Sequence, residues 1–123
     1  MKPITNIEDL RIIAQKRVPK MFYDYVDSGS WTESTYQANE SDFQKIKFIQ
    51  KVARNMENRS LKREMLGIEM SMPLSIAPTG LVGMVHPDGE ILAARAAAKF
   101  GIRYTLSTMS IASLEDIKRE VNK

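Results

Sequence analysis

The sequence contains no cysteine. Disulfides and thiolate metal sites are therefore excluded, which agrees with a reducing cytoplasmic compartment. It has no apolar run approaching the roughly 18 residues of a transmembrane helix. The N-terminus, Met-Lys-Pro-Ile-Thr-Asn, leads into charged residues. It has neither an apolar core nor a small-residue cleavage site, so no secretory signal is expected. Phosphate-loop motifs are missing as well. Gly80-Leu81-Val82-Gly83 is too short for G-x-G-x-x-G and has no following lysine. Histidine occurs once, as His86 between Val85 and Pro87. A general base must be held at the reacting carbon, whereas this position at a helix start suggests capping or packing.

What is present is a chain of 123 residues, a length that fits one domain, with 43% hydrophobic residues, close to the globular norm. Eighteen basic residues against 15 acidic give a net charge of +3. The basic residues gather loosely between Lys45 and Arg63. No aromatic interleaving or nucleic-acid motif accompanies them, so they read as a solvated connecting segment with no nucleic-acid partner. The eight scattered methionines read as core filler.

The first part of the chain is helical by pattern. Thr5-Asn6-Ile7-Glu8 has the form of a capping box. Ile7, Leu10, Ile13 and Ala14 keep helical spacing until Val18-Pro19. A short helix from Pro19 carries Met21, Phe22, Tyr23, Tyr25 and Val26, and Ser28-Gly29 stops it. A third is expected from about Thr32, with Tyr36 and Phe43 on one face. Ile46–Ile49 and Leu66–Met70 have the composition of short strands, separated by a polar loop.

From residue 72 the pattern becomes strand, helix, strand, helix. Pro73 and Pro78 fence a short buried strand, Leu74–Ala77, because proline suits strand ends and not strand middles. Pro87 with neighbouring acids marks a helix start, and Glu90–Phe100 forms an alanine-rich helix stopped by Gly101. The second strand is expected at about Arg103–Ser107. Ser113-Leu114-Glu115-Asp116 opens a further helix with Leu114, Ile117 and Val121 as its apolar stripe. Consecutive βα units imply parallel strands. Two strands neither close a barrel, which needs roughly 250 residues, nor make a doubly wound sheet, so the chain has the α/β pattern of the beginning of an architecture.

Ligands of parallel α/β folds sit beyond the C-terminal ends of the strands. Pro78-Thr79-Gly80 occupies that place after the first strand, and Ser107-Thr108 after the second. Each pattern describes an ordinary βα turn. Each also describes a backbone cradle for a planar cofactor, and two such ends on neighbouring strands would face one pocket. Tyr25 ends a short helix. It reads as an amphipathic tyrosine in a helix interface, or as a phenol able to donate to a substrate carboxylate.

Four ordered stretches resemble one family. Pro19-Lys20-Met21-Phe22-Tyr23-Asp24-Tyr25-Val26-Asp27-Ser28-Gly29 is similar to the N-terminal signature of the FMN-dependent α-hydroxy-acid oxidases and dehydrogenases, which include glycolate oxidase and the flavin L-lactate dehydrogenase. Met72-Pro73-Leu74-Ser75-Ile76-Ala77-Pro78-Thr79-Gly80 resembles their first barrel strand and flavin turn. His86-Pro87-Asp88-Gly89-Glu90 and Thr105-Leu106-Ser107-Thr108 match the next landmarks in order. The Pro78-Thr79-Gly80 form, with Leu106-Ser107-Thr108, is closer to the bacterial lactate dehydrogenases than to the plant glycolate oxidases.

The resemblance implies that Tyr25 hydrogen-bonds the substrate carboxylate and that Met109 lies near the substrate side chain. It implies that Pro78, Thr79 and Gly80 run along the FMN ring and that Ser107 hydrogen-bonds FMN. The fold it implies is α/β, with residues 1–71 as N-terminal helices and short pre-barrel strands, and 72–123 as the first two βα units of an incomplete (β/α)8 TIM barrel. The substrate would be a small 2-hydroxy acid such as L-lactate. The proton-abstracting histidine, the carboxylate-clamping arginine and the phosphate-binding loops of the family lie far downstream, and no residue here is expected to serve as the catalytic base, His86 included. The expectations are a fragment inactive alone and poorly stable, one chain of a split enzyme completed by a C-terminal partner chain, or a non-catalytic interaction module. Location would be cytoplasmic or at the cytoplasmic face of the inner membrane, and homo-oligomers are the family tendency.

Overall fold

The computed structural model describes residues 3–121. By contacts the chain forms two compact units, Met1–Asn58 and Arg59–Lys123.

The first unit is helical. Helix α1 spans Ile7–Arg17, and its N-cap is Asn6, whose side chain accepts from the Asp9 N–H at 2.9 Å. Thr5 donates to the Asp9 carboxylate through its N–H at 2.9 Å and its hydroxyl at 2.8 Å. The cap is therefore Asn6 and not the expected Thr5, and the carboxylate that reaches back is Asp9 and not Glu8, because an asparagine side chain reaches the third helical N–H as well as a hydroxyl does. Glu8 and Asp9 in the first turn and Lys16 and Arg17 in the last complement the helix dipole. Val18 turns extended before Pro19, as a residue preceding proline prefers.

Helix α2 runs from Lys20 to Asp27. Arg11 ties it to α1 with a two-pronged contact to Asp27, Nε to Oδ1 at 2.7 Å and Nη2 to Oδ2 at 3.0 Å. Helix α3 covers Ser34–Ser41 and tightens into a 3₁₀ turn over Asp42–Lys45. No described residue of these helices is fully buried. Ile46–Ile49 is irregular and not the expected strand, and Phe48 is 100% exposed. β-branched and aromatic composition alone cannot hold a strand, because its backbone groups need a ladder partner.

The second unit begins with a hairpin. Strand β1, Arg63–Met65, pairs antiparallel with β2, Ile68–Met70. Leu66 and Gly67 form the two-residue turn, both at positive φ (53° and 73°), as a type I′ turn demands. The single strand expected over Leu66–Met70 is therefore corrected: its first two residues are the turn, and a partner strand precedes it.

Strand β3, Ser75–Ile76, pairs in parallel with β4, Arg103–Tyr104, in the register Ser75↔Arg103 and Ile76↔Tyr104. Both strands are shorter than expected. The N–H of Thr105 adds one more bond, to the Ile76 carbonyl at 3.1 Å. Proline can offer no donor beyond that, and Pro78 comes two residues later. The fenced segment is also less covered than expected, with Leu74 exposed and Ile76 half-buried.

Between the strands lie a one-turn helix α4, Val82–Val85, and helix α5, Gly89–Phe100. Pro87 stays outside the helix, and the left-handed Asp88 supplies the carbonyl for its first bond, from Leu92 N–H at 2.9 Å. Gly89 is required by closeness. A Cβ there would lie 2.7 Å from Val82 Cγ1 and 3.1 Å from the Val82 carbonyl oxygen. At the far end, Gly101 (φ 77°) donates to Ala98 O at 3.1 Å and Ile102 to Ala97 O at 3.0 Å, a Schellman closure. Ser71 fastens that end to the strand entry. Its N–H donates to Gly101 O at 2.9 Å and its hydroxyl to Phe100 O at 2.7 Å.

Helix α6, Leu114–Val121, is capped by Ser113, whose Oγ accepts from Asp116 N–H at 3.1 Å. The apolar centre of the unit is small: Met70, Ala94, Ala97 and Ile117. Alanines let α5 approach β4 and α6 closely. Arg95 holds α6 alongside through Glu120, donating to its carbonyl at 2.8 Å and its carboxylate at 2.6 Å.

Candidate functional site

The two strand ends open into adjacent loops. After β3 run Ala77, Pro78, Thr79 and Gly80, and after β4 run Leu106, Ser107, Thr108 and Met109. A parallel pair places both loops on the same side of the sheet. They are joined directly, since Leu81 N–H donates to Met109 O at 3.0 Å. Gly80 lies against the second loop: a Cβ on it would stand 3.2 Å from Met109 Cβ and 3.8 Å from Ser107 Oγ. The missing side chain therefore matters here, leaving bare backbone beside a hydroxyl. Ser107 Oγ accepts from Met109 N–H at 3.1 Å. A hydroxyl that accepts retains its own O–H to donate elsewhere. Thr79 is exposed and its Oγ1 is 3.4 Å from Ala77 O. Pro78 is exposed and contributes only a carbonyl to hydrogen bonding.

Gly80, Ser107 and Met109 are thus brought together, with Pro78 and Thr79 preceding Gly80 in the chain, both exposed. The lack of bulk at Gly80 is what lets the two loops meet. Tyr25 belongs to the other unit, on α2, where it is 70% exposed. Nearby in that unit, burial first and then hydrogen bonding to Asp27 push the Tyr23 phenol up. Arg11 holds the Asp27 carboxyl below its usual range.

His86 is exposed, and its Nδ1 is 2.7 Å from the carbonyl of the adjoining Pro87. Among the described residues no group of three or more His, Asp or Glu is arranged to hold a metal ion.

The residue that sequence reasoning missed is Glu90. It is 1% exposed. Its Oε1 accepts from Gly83 N–H at 3.0 Å and from Ile111 N–H at 3.1 Å. Burial by itself would raise the Glu90 pKa. The amides of Ile111 and Gly83 and the Ser110 hydroxyl outweigh it, and the net shift is downward. Burial, then the charge of Glu90, raises the pKa of Tyr104 on β4. A signal existed: Glu90, Ala94 and Ala97 share one helical face, so an acid lay on the stripe that the alanines assign to the interior.

A sequence profile described as FMN-dependent dehydrogenase matches residues 14–123. The chain is 46% identical over 115 residues to (S)-mandelate dehydrogenase of Pseudomonas putida, covering 94% of this chain and 29% of that protein. It is 41% identical over 120 residues to L-lactate dehydrogenase of Stenotrophomonas maltophilia, covering 98% and 32%. A crystal structure of the monotopic membrane protein (S)-mandelate dehydrogenase superposes with a TM-score of 0.87 at 45% identity, covering 96% of this chain and 32% of that one. No described helix is long and apolar enough to cross a membrane. The chain spans about three-tenths of the length of the curated relatives it matches.

Proposed function

Because the chain belongs to the FMN-dependent dehydrogenase family, we propose that it supplies one wall of a flavin site for oxidising a small 2-hydroxy acid, such as L-lactate, to the 2-oxo acid. The observation that carries this reading is the bare backbone at Gly80, set against Ser107 and Met109 and fastened there through Leu81. Bound FMN would accept the two electrons released at the substrate's α-carbon. Pro78, Thr79 and Gly80 would lie along the ring, excluding water from one face, and the Ser107 O–H would donate to a ring acceptor. Tyr25 would donate to the substrate carboxylate, and Met109 would touch the substrate side chain.

We assign residues 72–123 to the first two βα units of a TIM barrel, with 1–71 preceding it. The remaining units, from the same polypeptide or from a complementing second chain, would bring the proton-abstracting base and the phosphate grip. Two observations favour this completion. The β3–β4 sheet has two strands with an open edge on each side, and Leu74 beside it is exposed. Open edges and exposed apolar residues call for cover. A purely interactive module is the reading that neither observation requires. Residence at the cytoplasmic face of the inner membrane and homo-oligomerisation of the completed enzyme belong to the same proposal.

The test has two arms. The chain alone is expected to give no dye reduction with L-lactate above background. Co-expression with the remaining two-thirds of an L-lactate dehydrogenase relative is expected to restore flavin absorbance and dye reduction, and Gly80→Val is expected to abolish both. Full flavin retention in the Gly80→Val complex would sink the assignment of the wall.

A further inference from the structure

We infer that Glu90 is a positioning residue: its buried carboxylate fastens α4, the one-turn helix that continues the loop after β3, to the loop after β4, so that Gly80 and Ser107–Met109 are held as one body. What that body binds rests on the flavin reading above. The fastening itself rests on geometry.

Gly83 and Ile111, which donate to Glu90 Oε1, each lie two residues beyond the directly bonded pair Leu81 and Met109. Two N–H donors cannot bond one another. A shared carboxylate oxygen converts them into a second rung, between α4 and the loop after β4, beside the first. The fit around it is close. A Cβ on Gly83 would lie 2.8 Å from Ile111 Cβ and 3.1 Å from Glu90 Oε2, so only glycine admits both the loop and the carboxylate. Among the described ion pairs none involves Glu90, and its Oε1 accepts from two amides. A buried carboxylate is costly unless so satisfied. An apolar residue in its place would leave two amides without a partner, at opposite sides of the gap between α4 and the loop after β4. Packing alone therefore does not account for an acid at this position, whereas bridging does.

The test uses the whole 123-residue chain and reads amide hydrogen exchange residue by residue. In Glu90→Ala, exchange at Gly83 and Ile111 is expected to accelerate. The decisive amide is Leu81, which does not touch Glu90 and should accelerate about tenfold or more. Thr105, bonded within the β3–β4 sheet, should stay within about threefold of the unmodified chain. Glu90→Gln retains the carbonyl acceptor and should return Leu81 towards the original rate. Unchanged Leu81 exchange in Glu90→Ala overturns the inference. If Glu90→Ala loosens Thr105 as much as Leu81, Glu90→Gln decides: preferential recovery of Leu81 supports the fastening, and equal acceleration of both amides overturns it. FMN is titrated separately into the complex co-expressed with the remaining barrel units, which bring the phosphate grip, and followed by quenching of its fluorescence. Quenching that Glu90→Ala weakens and Glu90→Gln restores supports fastening and wall together. No quenching with the unmodified complex tells against the flavin wall and leaves exchange to judge the fastening.

Discussion

Leu66 carries a backbone that its side chain does not favour. It stands at φ 53° in the β1–β2 turn and is 97% exposed, so the side chain gains nothing from packing there. Asparagine and glycine occupy the left-handed region with little penalty. Leu66→Asn is therefore expected to stabilise the second unit by about 0.5–1 kcal/mol, seen as a higher midpoint in urea with unchanged slope. Gly101 is the opposite case, since its φ of 77° closes α5 and a Cβ would press on Ser71 Cβ at 3.3 Å. Gly101→Ala should cost about 1 kcal/mol or more, measured by the same unfolding curves.

At the scale of elements, the packing of α6 depends on one side chain. Ile117 is the buried residue of that helix, and Ile117→Ala should cost about 2–4 kcal/mol, with loss of α6 helicity by circular dichroism before the β1–β2 hairpin is affected. Asn6→Ala should cost roughly 1 kcal/mol in the first unit through loss of the α1 cap. Elements whose ends are written in local chemistry were legible in the sequence: α1 from its cap and Val18-Pro19, α5 from Gly101, α6 from Ser113 and Asp116. Elements that depend on distant partners were not. Ile46–Ile49 has strand composition and no ladder, β1 is a charged segment made a strand by its partner, and the lengths of β3 and β4 follow from each other. The strand-end loops were legible because proline, glycine and hydroxyl residues mark them. Glu90 was not, because an acid at a helix start has an ordinary explanation in the dipole, and only the fold brings Gly83 and Ile111 to it.

For the molecule as a whole, the carboxylates set the acid limit. Arg11 lowers the Asp27 pKa, Ser113 and then Arg119 lower that of Asp116, and for Glu90 hydrogen bonding overrides burial in the same direction. A depressed folded value means that the unfolded chain takes up protons more readily. The stabilisation is therefore complete above the ordinary values of 3.8 and 4.5 and is lost as pH falls through the lower folded ones. Tyr23 and Tyr104, both raised from 10.0, behave oppositely, stabilising below that value and ceasing to do so as pH climbs through the folded ones. Thermal midpoints should form a plateau at neutral pH with an acid edge beginning near pH 4.5. Removing the acceptor in Glu90→Ala should shrink that edge, and an acid edge of unchanged size would contradict the role given to Glu90.

The junction of Ser71 with Phe100 and Gly101 also bears on how the sheet closes during folding. With α5 seated on Ser71, Gly101 stands two residues before Arg103 and Ser71 four before Ser75. The parallel pairing, ordinarily slow because its partners are far apart in sequence, is then reduced to the closing of one short step.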